Sequence, residues 1–273
     1  MKLFITTKNL DYIRNTQEIE LLTKECGGCR PDIIASSAGK YPARMAHVIR
    51  KLITCRFSAY DEIFVGFAPQ LIIPFFEGKF RRYRNNGGKV TIDFFISVYD
   101  TLVNDRKKIK KGSVPASVAA WLDKRTILAD NVVVDTKAHG EYFIENFGLS
   151  RDKMQVLYLE ADKSVYYPHT VKRAEEDADK RIILYFASML PLQGVETVLE
   201  AAKLMKDDKN IIFKIIGPVK NKVIQDNIRY IDWLPQDRLS DAIADANLCL
   251  AGHFNGEIGK ACRTIPGKAY IYR

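Results

Sequence analysis

Long hydrophobic runs are missing from this sequence of 273 residues. No apolar stretch reaches the roughly 18 residues that a membrane-spanning helix needs. Residues 1–7 become polar too early to form the apolar region of a secretory signal peptide. We therefore expect a cytoplasmic protein, whose only membrane contact is peripheral, on the inner face of the inner membrane.

Cysteine is scarce, and its pattern excludes a disulfide framework. Five cysteines are an odd number, and a chain of this length does not need disulfides, which indicates a reducing compartment. Cys26 and Cys29 have the spacing of a zinc or redox pair. No second close pair completes the ligands of a structural zinc site, and the four histidines are scattered. We therefore expect no bound metal.

The common nucleotide and hydrolase signatures are also missing. The sequence contains no Gly-x-x-x-x-Gly-Lys-Ser/Thr loop and no Gly-x-Gly-x-x-Gly turn, which argues against a kinase-like NTPase and a dinucleotide oxidoreductase. It contains no Gly-x-Ser-x-Gly nucleophile elbow either.

Positive charge is in excess and is unevenly distributed. The net charge is +9, of which residues 1–170 carry +7 and residues 171–273 carry +2. A basic first half indicates an anionic partner, such as a membrane surface, nucleic acid or a phosphorylated substrate. A solvated basic surface without a partner is the alternative.

Short apolar segments alternate with amphipathic ones along the chain, which predicts parallel sheets with helices on both faces. The apolar segments lack clean alternation, as expected of strands that are buried on both faces. The predicted strands are 2–6, 32–36, 62–66, 90–96, 131–134, 155–158, 182–186, 211–216, 229–233 and 247–251. The predicted helices are 15–23, 42–53, 114–129, 138–147, 194–205, 220–226 and 237–246.

A polar stretch between residues 167 and 181 interrupts this alternation. It predicts an N-terminal domain at 1–168, a linker at 169–180 and a C-terminal domain at 181–273. The second series has four predicted strands, fewer than the five or six of a typical doubly wound domain, so we expect the second domain to be incomplete.

Ligands of open parallel sheets bind beyond the carboxyl ends of the strands, which ranks the polar residues. In the first series, the residues at such ends are Asp93, Ser97, Asp100, Asp135 and Thr136. In the second series they are Gln193, Gly194, Gly217, Pro218 and Gly252. A helix that begins at Gly194 directs its unpaired N–H groups at an anion such as a diphosphate. Glycines after strands are also ordinary turn residues, and that alternative stays open.

Two basic stretches indicate possible partners. The segment from Leu71 to Arg84 is apolar at 71–76 (LIIPFF) and basic at 78–84 (GKFRRYR), which suits a surface that lies on anionic lipid. The other basic stretch is 106–111 (RKKIKK). A solvated charge run is the alternative, and RNA stacking is less favoured, so we expect no nucleic-acid partner.

Four segments together resemble family-4 glycosyltransferases, and within them a bacterial and archaeal branch linked to surface polysaccharide assembly. The segments are 97–106 (SVYDTLVNDR), 129–136 (ADNVVVDT), 184–197 (LYFASMLPLQGVET) and 260–268 (KACRTIPGK). The resemblance implies a GT-B fold, with two Rossmann-like domains facing each other across a cleft. It implies a retaining hexosyltransferase that moves sugar from a UDP- or GDP-sugar to a glycan or lipid-linked acceptor, without a bound cofactor.

The resemblance also implies roles for individual residues. The C-terminal domain holds the donor with Gln193, Gly194, Gly217, Pro218 and Gly252. The catalytic residues are Lys260, Arg263 and Asp100, and the acceptor lies at Asp93, Ser97, Asp135 and Thr136.

The sequence departs from the family pattern at several places. Ser188 and Gln193 stand where many members carry an Arg and a Lys for the diphosphate. Compensating charge can come from Lys260, Arg263 or Lys268. Members of the family carry a pair of glutamates spaced eight residues apart. In this sequence Arg263 and Ile271 stand at those two positions.

Two other readings stay open. One is a non-catalytic GT-B fragment or pseudo-enzyme that acts as a binding or membrane-associated partner. The other is a non-hydrolysing sugar-nucleotide epimerase, which the scattered histidines disfavour.

Overall fold

The computed structural model describes residues 1–37 and 39–272 of the chain. It divides the chain into two compact units, Met1–Glu160 and Ala161–Arg273. The stretch 169–180, which the sequence suggests as a linker, lies within the second unit.

The first unit contains one parallel sheet. Its strands are β1 (Lys2–Ile5), β2 (Asp32–Ile34), β3 (Glu62–Val65), β4 (Lys89–Asp93), β5 (Asn131–Val134) and β6 (Met154–Val156). Its helices are α1 (Ile13–Glu25), α2 (Tyr41–Thr54), α3 (Glu77–Asn85), α4 (Val114–Thr126) and α5 (Lys137–Phe147). The strand order is β2-β1-β3-β4-β5-β6, so the topological switch point lies between β1 and β3.

Both faces of this sheet are buried. On one face, Phe4 and Phe64 pack with Ile19 and Leu22 of α1. The opposite face packs against α2, α3 and α5. The buried residues there include Ile5, Ile92, Val134, Val48, Leu52, Phe80 and Phe143. Because successive strand residues point to opposite faces, a strand between two helical layers is apolar at nearly every position. Each such buried side chain contributes about 1.5–3 kcal/mol.

The second unit has the same construction. Its strands are β7 (Arg181–Phe186), β8 (Ile211–Ile216), β9 (Ile228–Ile231) and β10 (Leu248–Cys249), and its helices are α6 (Val195–Leu204), α7 (Gln236–Asp245) and α8 (Gly267–Ile271). The strands are parallel in the order β10-β7-β8-β9. Tyr185 and Phe213 pack on Val198 of α6, while Leu184 packs on Ala242 of α7. Two Rossmann-like α/β sheets confirm the predicted fold class.

One predicted helix is wrong. Residues 220–226 form an irregular loop. The hydroxyl of Tyr230 forms hydrogen bonds with both backbone groups of Val223. The Val223 N–H donates to the Tyr230 oxygen at 2.9 Å, and the Tyr230 hydroxyl donates to the Val223 carbonyl at 3.1 Å. Those backbone groups are therefore not available for helical hydrogen bonds.

In the first unit, one α-helix and one π-helical segment are absent from the sequence prediction. Helix α3 covers the basic stretch, and its buried Phe80 and Tyr83 are three residues apart, as on one face of a helix. A π-helical segment covers Asp100–Asp105. Such segments are rare and often occur at functional sites.

Candidate functional site

The carboxyl edge of the second sheet holds the turn that contains Gln193 and Gly194. The Gln193 side-chain carbonyl accepts the Leu190 N–H at 2.9 Å, and its backbone carbonyl accepts the Tyr185 hydroxyl at 2.9 Å. Gly194 has a φ of 59° and caps α6. An added Cβ there would lie 2.6 Å from the Asn255 nitrogen, so the segment 254–255 covers this glycine.

Gly217 and Gly252 also lie at strand ends of this edge, and both are crowded by protein atoms. Gly217 has a φ of 135°, and an added Cβ would lie 2.1 Å from the Ala187 carbonyl oxygen. At Gly252 an added Cβ would lie 2.7 Å from the Phe254 ring. These glycines are therefore required by the packing of the loops themselves, whether or not a ligand also approaches them.

Lys260 and Arg263 belong to the same edge. The 3₁₀ turn Gly259–Cys262 packs against the 3₁₀ turn Pro191–Gln193. The Lys260 carbonyl accepts the Arg263 N–H at 3.1 Å and the Thr264 hydroxyl at 3.1 Å. The Arg263 guanidinium lies against Gly259, where an added Cβ would be 2.9 Å from Nη1. The structure thus brings the predicted donor and catalytic residues of the second unit together.

In the first unit, Asp93 is held by a buried ion pair. The Arg14 guanidinium donates to both Asp93 carboxylate oxygens, at 2.8 and 2.7 Å, and to the Leu157 carbonyl at 2.9 Å. Its plane also lies 4.9 Å from the centroid of the Phe95 ring. Asp93 is 1% exposed, so in this arrangement its carboxylate stabilises the fold.

Glu18 completes this buried cluster. Its carboxyl group lies 3.6 Å from Arg14 and is fully buried. Burial raises the pKa of Glu18 well above its ordinary value, and the neighbouring Asp93 raises that pKa further. The raised pKa favours the protonated form of Glu18, and Asp93 makes the bidentate pair with Arg14.

Asp100 begins the π-helical segment, Ser97 precedes it by three residues, and both are fully buried. The Ser97 hydroxyl donates to Asp123 at 2.7 Å and accepts the Asp100 N–H at 2.9 Å. Asp123 also accepts the N–H groups of Val98 and Tyr99, at 3.0 and 2.9 Å. Burial raises the pKa of Asp123, although these hydrogen bonds oppose the shift. The Asp100 carboxylate accepts the Asn104 amide at 2.8 Å.

Asp135 and Thr136 connect β5 to α5. Thr136 caps α5 by accepting the His139 N–H at 3.0 Å. The Asp135 carboxylate contacts the His139 Nδ1 at 2.7 Å, and its side chain is 19% exposed. Among the four predicted acceptor residues, Asp135 presents the most accessible functional group.

Sequence reasoning missed an aromatic cluster at the switch point of the first sheet. The ring centroids of Tyr12 and Phe67 are 5.5 Å apart, and those of Phe67 and Phe95 are 6.0 Å apart. The Lys8 ammonium lies 5.4 Å from the Phe67 centroid. Only the strand order brings these residues together, because they follow β1, β3 and β4.

The segment 71–84 divides between core and surface. Ile72 and Ile73 are buried, whereas Phe75 is 69% exposed. A cavity of about 680 Å³ is lined by Ile53, Lys79, Arg81, Arg82 and Asn85, together with two further residues of α3 and its end. Across residues 1–37 and 39–272, no helix is long and apolar enough to cross a membrane.

Comparison with known proteins identifies the fold. No protein-family model matches the sequence, and no curated protein matches it. A glycosyltransferase from Rickettsia africae ESF-5 matches with a TM-score of 0.55 at 13% identity, over 91% of this chain and 72% of that chain. WaaG, a glycosyltransferase involved in lipopolysaccharide biosynthesis, matches with a TM-score of 0.54 at 12% identity, over 93% and 75%.

A third structure, Anabaena Alr3699/HepE in complex with UDP and glucose, matches with a TM-score of 0.52 at 12% identity, over 91% of this chain and 73% of that chain. The chain spans 39% of the length of TarM, a further structural match. At these identities the likeness establishes the fold that these proteins share with this chain.

Proposed function

We propose that the protein is a glycosyltransferase that uses a nucleotide-diphosphate sugar. The observation that carries this proposal is the gathering of the turns at residues 193–194, 252 and 260 at the carboxyl edge of the second sheet. That edge is where open α/β sheets bind their ligands. The shared fold with glycosyltransferases supports the proposal.

In this proposal the second unit binds the donor. Gln193 and Gly194 open α6, whose N-terminus favours the diphosphate electrostatically, and Gly217, Pro218 and Gly252 border the same edge. UDP-sugar is the first donor to test, because the HepE structure holds UDP and glucose. GDP-sugar is the alternative.

Lys260 and Arg263 act on the leaving group in this proposal. As the bond between the anomeric carbon and the β-phosphate oxygen breaks, negative charge develops on that oxygen. Positioned cations stabilise such charge in the transition state. A new bond joins the anomeric carbon to the oxygen of an acceptor hydroxyl, whose proton passes to the departing phosphate oxygen. A nucleoside diphosphate is released. The resemblance to family-4 enzymes favours retention of configuration.

The first unit takes the acceptor, which we propose to be a lipid-linked glycan in surface polysaccharide synthesis. Asp135 and Thr136 lie at the end of β5, and Asp135 is accessible. Asp93, Ser97 and Asp100 are buried in internal hydrogen bonds, so we assign them positioning roles for the loops around them.

The test is release of nucleoside diphosphate from UDP- and GDP-hexoses with lipid-linked glycan acceptors. We expect turnover with one donor and a large loss of kcat in Lys260→Met. The control Lys203→Met, at an exposed position of α6, retains activity. Binding of the donor without turnover would favour the non-catalytic alternative. An epimerised sugar nucleotide without transfer would favour an epimerase. Failure to bind any sugar nucleotide would exclude the transferase and the epimerase.

We also propose that the first unit docks on anionic membrane. Arg81 and Arg82 are exposed on α3 and line one cavity with the exposed Ile53. Phe75, two residues before α3, is exposed as well. On α4, Val114, Val118 and Trp121 are at least half exposed and recur every three or four residues, which places them on one helix face. Apolar side chains beside cations suit the interface of an anionic bilayer.

Sedimentation with vesicles tests this docking. We expect binding to phosphatidylcholine vesicles only when phosphatidylglycerol is added, and a loss of that binding in Arg81→Gln/Arg82→Gln. The matched control is Lys206→Gln, on the surface of the second unit. Binding that ignores the anionic lipid would contradict the proposal.

A further inference from the structure

Lys268 is a buried lysine whose ammonium group has no ion-pair partner in the part of the chain that the structure describes. It is the second residue of α8 and is 6% exposed. Its Nζ makes no hydrogen bond to any residue among 1–37 and 39–272. The Nζ lies 3.9 Å from the centroid of the Tyr185 ring and 6.0 Å from that of Phe186. These ring faces offset only part of the cost of removing the charge from water.

Burial has a measurable consequence for this amine. It lowers the pKa of Lys268 to about 8. A chain that needed only stable packing would be better served by an apolar side chain at this position, because an unpaired buried charge is costly. The ammonium becomes favourable when an anion binds to it.

The position of Lys268 indicates which anion. Tyr185 and Phe186 are the last residues of β7, so the amine lies at the carboxyl edge of the second sheet. The Tyr185 hydroxyl donates to the Gln193 carbonyl, which joins this ring to the turn before α6. The amine and the N-terminus of α6 therefore border the same edge, and both favour negative charge.

The side chains at positions 188 and 193 supply no positive charge to a diphosphate. Ser188 and Gln193 carry no charge, although a bound diphosphate carries at least two negative charges. Lysine suits this task because its ammonium is a compact charge with three donors on a flexible stem. The stem allows Nζ to move between the ring face and a ligand without a change in the backbone.

We propose that Lys268 is the cation that binds the diphosphate of the donor, an assignment that rests on the proposed function. Lys260 and Arg263, on the neighbouring turn, keep their separate role at the leaving oxygen. The ammonium form binds the anion, so the affinity depends on the protonation of Lys268.

Calorimetric titration with UDP, uridine and inorganic pyrophosphate tests this site. We expect Lys268→Met to weaken UDP and pyrophosphate binding at least tenfold, to leave any uridine binding unchanged, and to melt no lower than the wild type without ligand. Lys268→Gln, of similar length, is the second variant if the first fails to fold. Lys203→Met, on α6 and exposed, is the control and retains wild-type affinity.

The pH profile separates a charge role from a packing role. The affinity of the wild type for UDP falls as pH rises above about 8, because the free amine loses its proton there. The profile of Lys268→Met lacks this fall. Equal UDP affinity in the wild type and Lys268→Met would overturn the role of Lys268 in binding the diphosphate. A variant that melts at a lower temperature and loses uridine binding as much as UDP binding would overturn it too. The transferase proposal would stand in both cases.

Pyrophosphate binding tests the proposed anion site even if the nucleotide does not bind. When the wild type binds no nucleoside diphosphate, the proposed donor is wrong. Pyrophosphate binding that depends on Lys268 still supports an anion site at this edge. No pyrophosphate binding, or binding that survives Lys268→Met, overturns it.

Discussion

A buried cluster of charged groups in the first unit contains one ion pair and one further carboxyl group. Arg14 on α1 meets Asp93 at the end of β4, and burial raises the pKa of Glu18, one helical turn further along. Removing one partner of a buried ion pair typically costs about 3–5 kcal/mol, because the other charge stays buried without a partner. The cluster therefore fixes α1 against the carboxyl edge of the first sheet.

Glu18→Gln tests the protonation state of this cluster. The folded pKa of Glu18 is raised above its ordinary value of 4.5, so the native state holds a proton that the unfolded state releases. Wild-type stability therefore falls as pH rises above 4.5, until the native carboxyl also ionises. In that window, we expect the free energy of unfolding of the variant to rise relative to that of the wild type by up to about 1.4 kcal/mol per pH unit.

Urea unfolding at several pH values between 4 and 8 measures the difference. Glu20→Gln, exposed on the same helix, is the control and leaves the pH dependence of the wild type in place. A constant difference between Glu18→Gln and the wild type across this range would contradict the assignment.

At the scale of elements, the loops after the strands of the second sheet interlock through their glycines. The N–H of Gly217 donates to the Ile231 carbonyl at 2.8 Å, and its α-carbon lies against Ala187 after β7. Gly194 meets the segment 254–255 in the same manner. The backbone conformation of one loop thus sets the position of its neighbours along the carboxyl edge.

Gly217→Ala measures this interlocking. A non-glycine residue at a φ of 135° costs about 1–3 kcal/mol in backbone strain alone, and the new Cβ collides with the Ala187 carbonyl. We expect the free energy of unfolding to fall by at least that amount in urea titration. Gly256→Ala is the matched control, because that glycine is exposed with open space around it. A similar stability for both variants would contradict the account.

At the scale of the whole molecule, each unit holds its own sheet and its own core on both sheet faces. Ligand binding at one edge therefore protects the elements of that unit first. The proposed donor residues all lie in the unit Ala161–Arg273.

Hydrogen exchange measured with and without UDP tests whether the donor binds to the second unit. We expect slower exchange in 187–195, 216–219 and 252–268, and unchanged exchange in the strands β1 to β6. Uridine alone serves as the control, since it lacks the diphosphate and leaves 187–195 unprotected. Protection confined to the first unit would place the donor on the other sheet and contradict the assignment.

The sequence alone predicted the fold class and most strands, because strands that are buried on both faces must be apolar at nearly every position. It also placed Asp135 and Gly217 directly after strands, because a strand ends where its apolar run ends, whereas the strand predicted at 90–96 ends at Asp93 in the structure. The helix predicted at 220–226 failed for a non-local reason, since Tyr230 on β9 bonds the backbone of Val223.

Only the tertiary structure decided what each strand-end residue contacts. Asp93 pairs with Arg14, 79 residues earlier, and Ser97 binds Asp123 on α4, neither of which local spacing reveals. The burial of Lys268 beneath Tyr185 likewise depends on how α8 packs on β7. The sequence by itself determined which segments form strands and helices, through hydrophobic patterns that act locally. The partners, burial and charge state of the polar side chains came from contacts between distant segments, which exist only after folding.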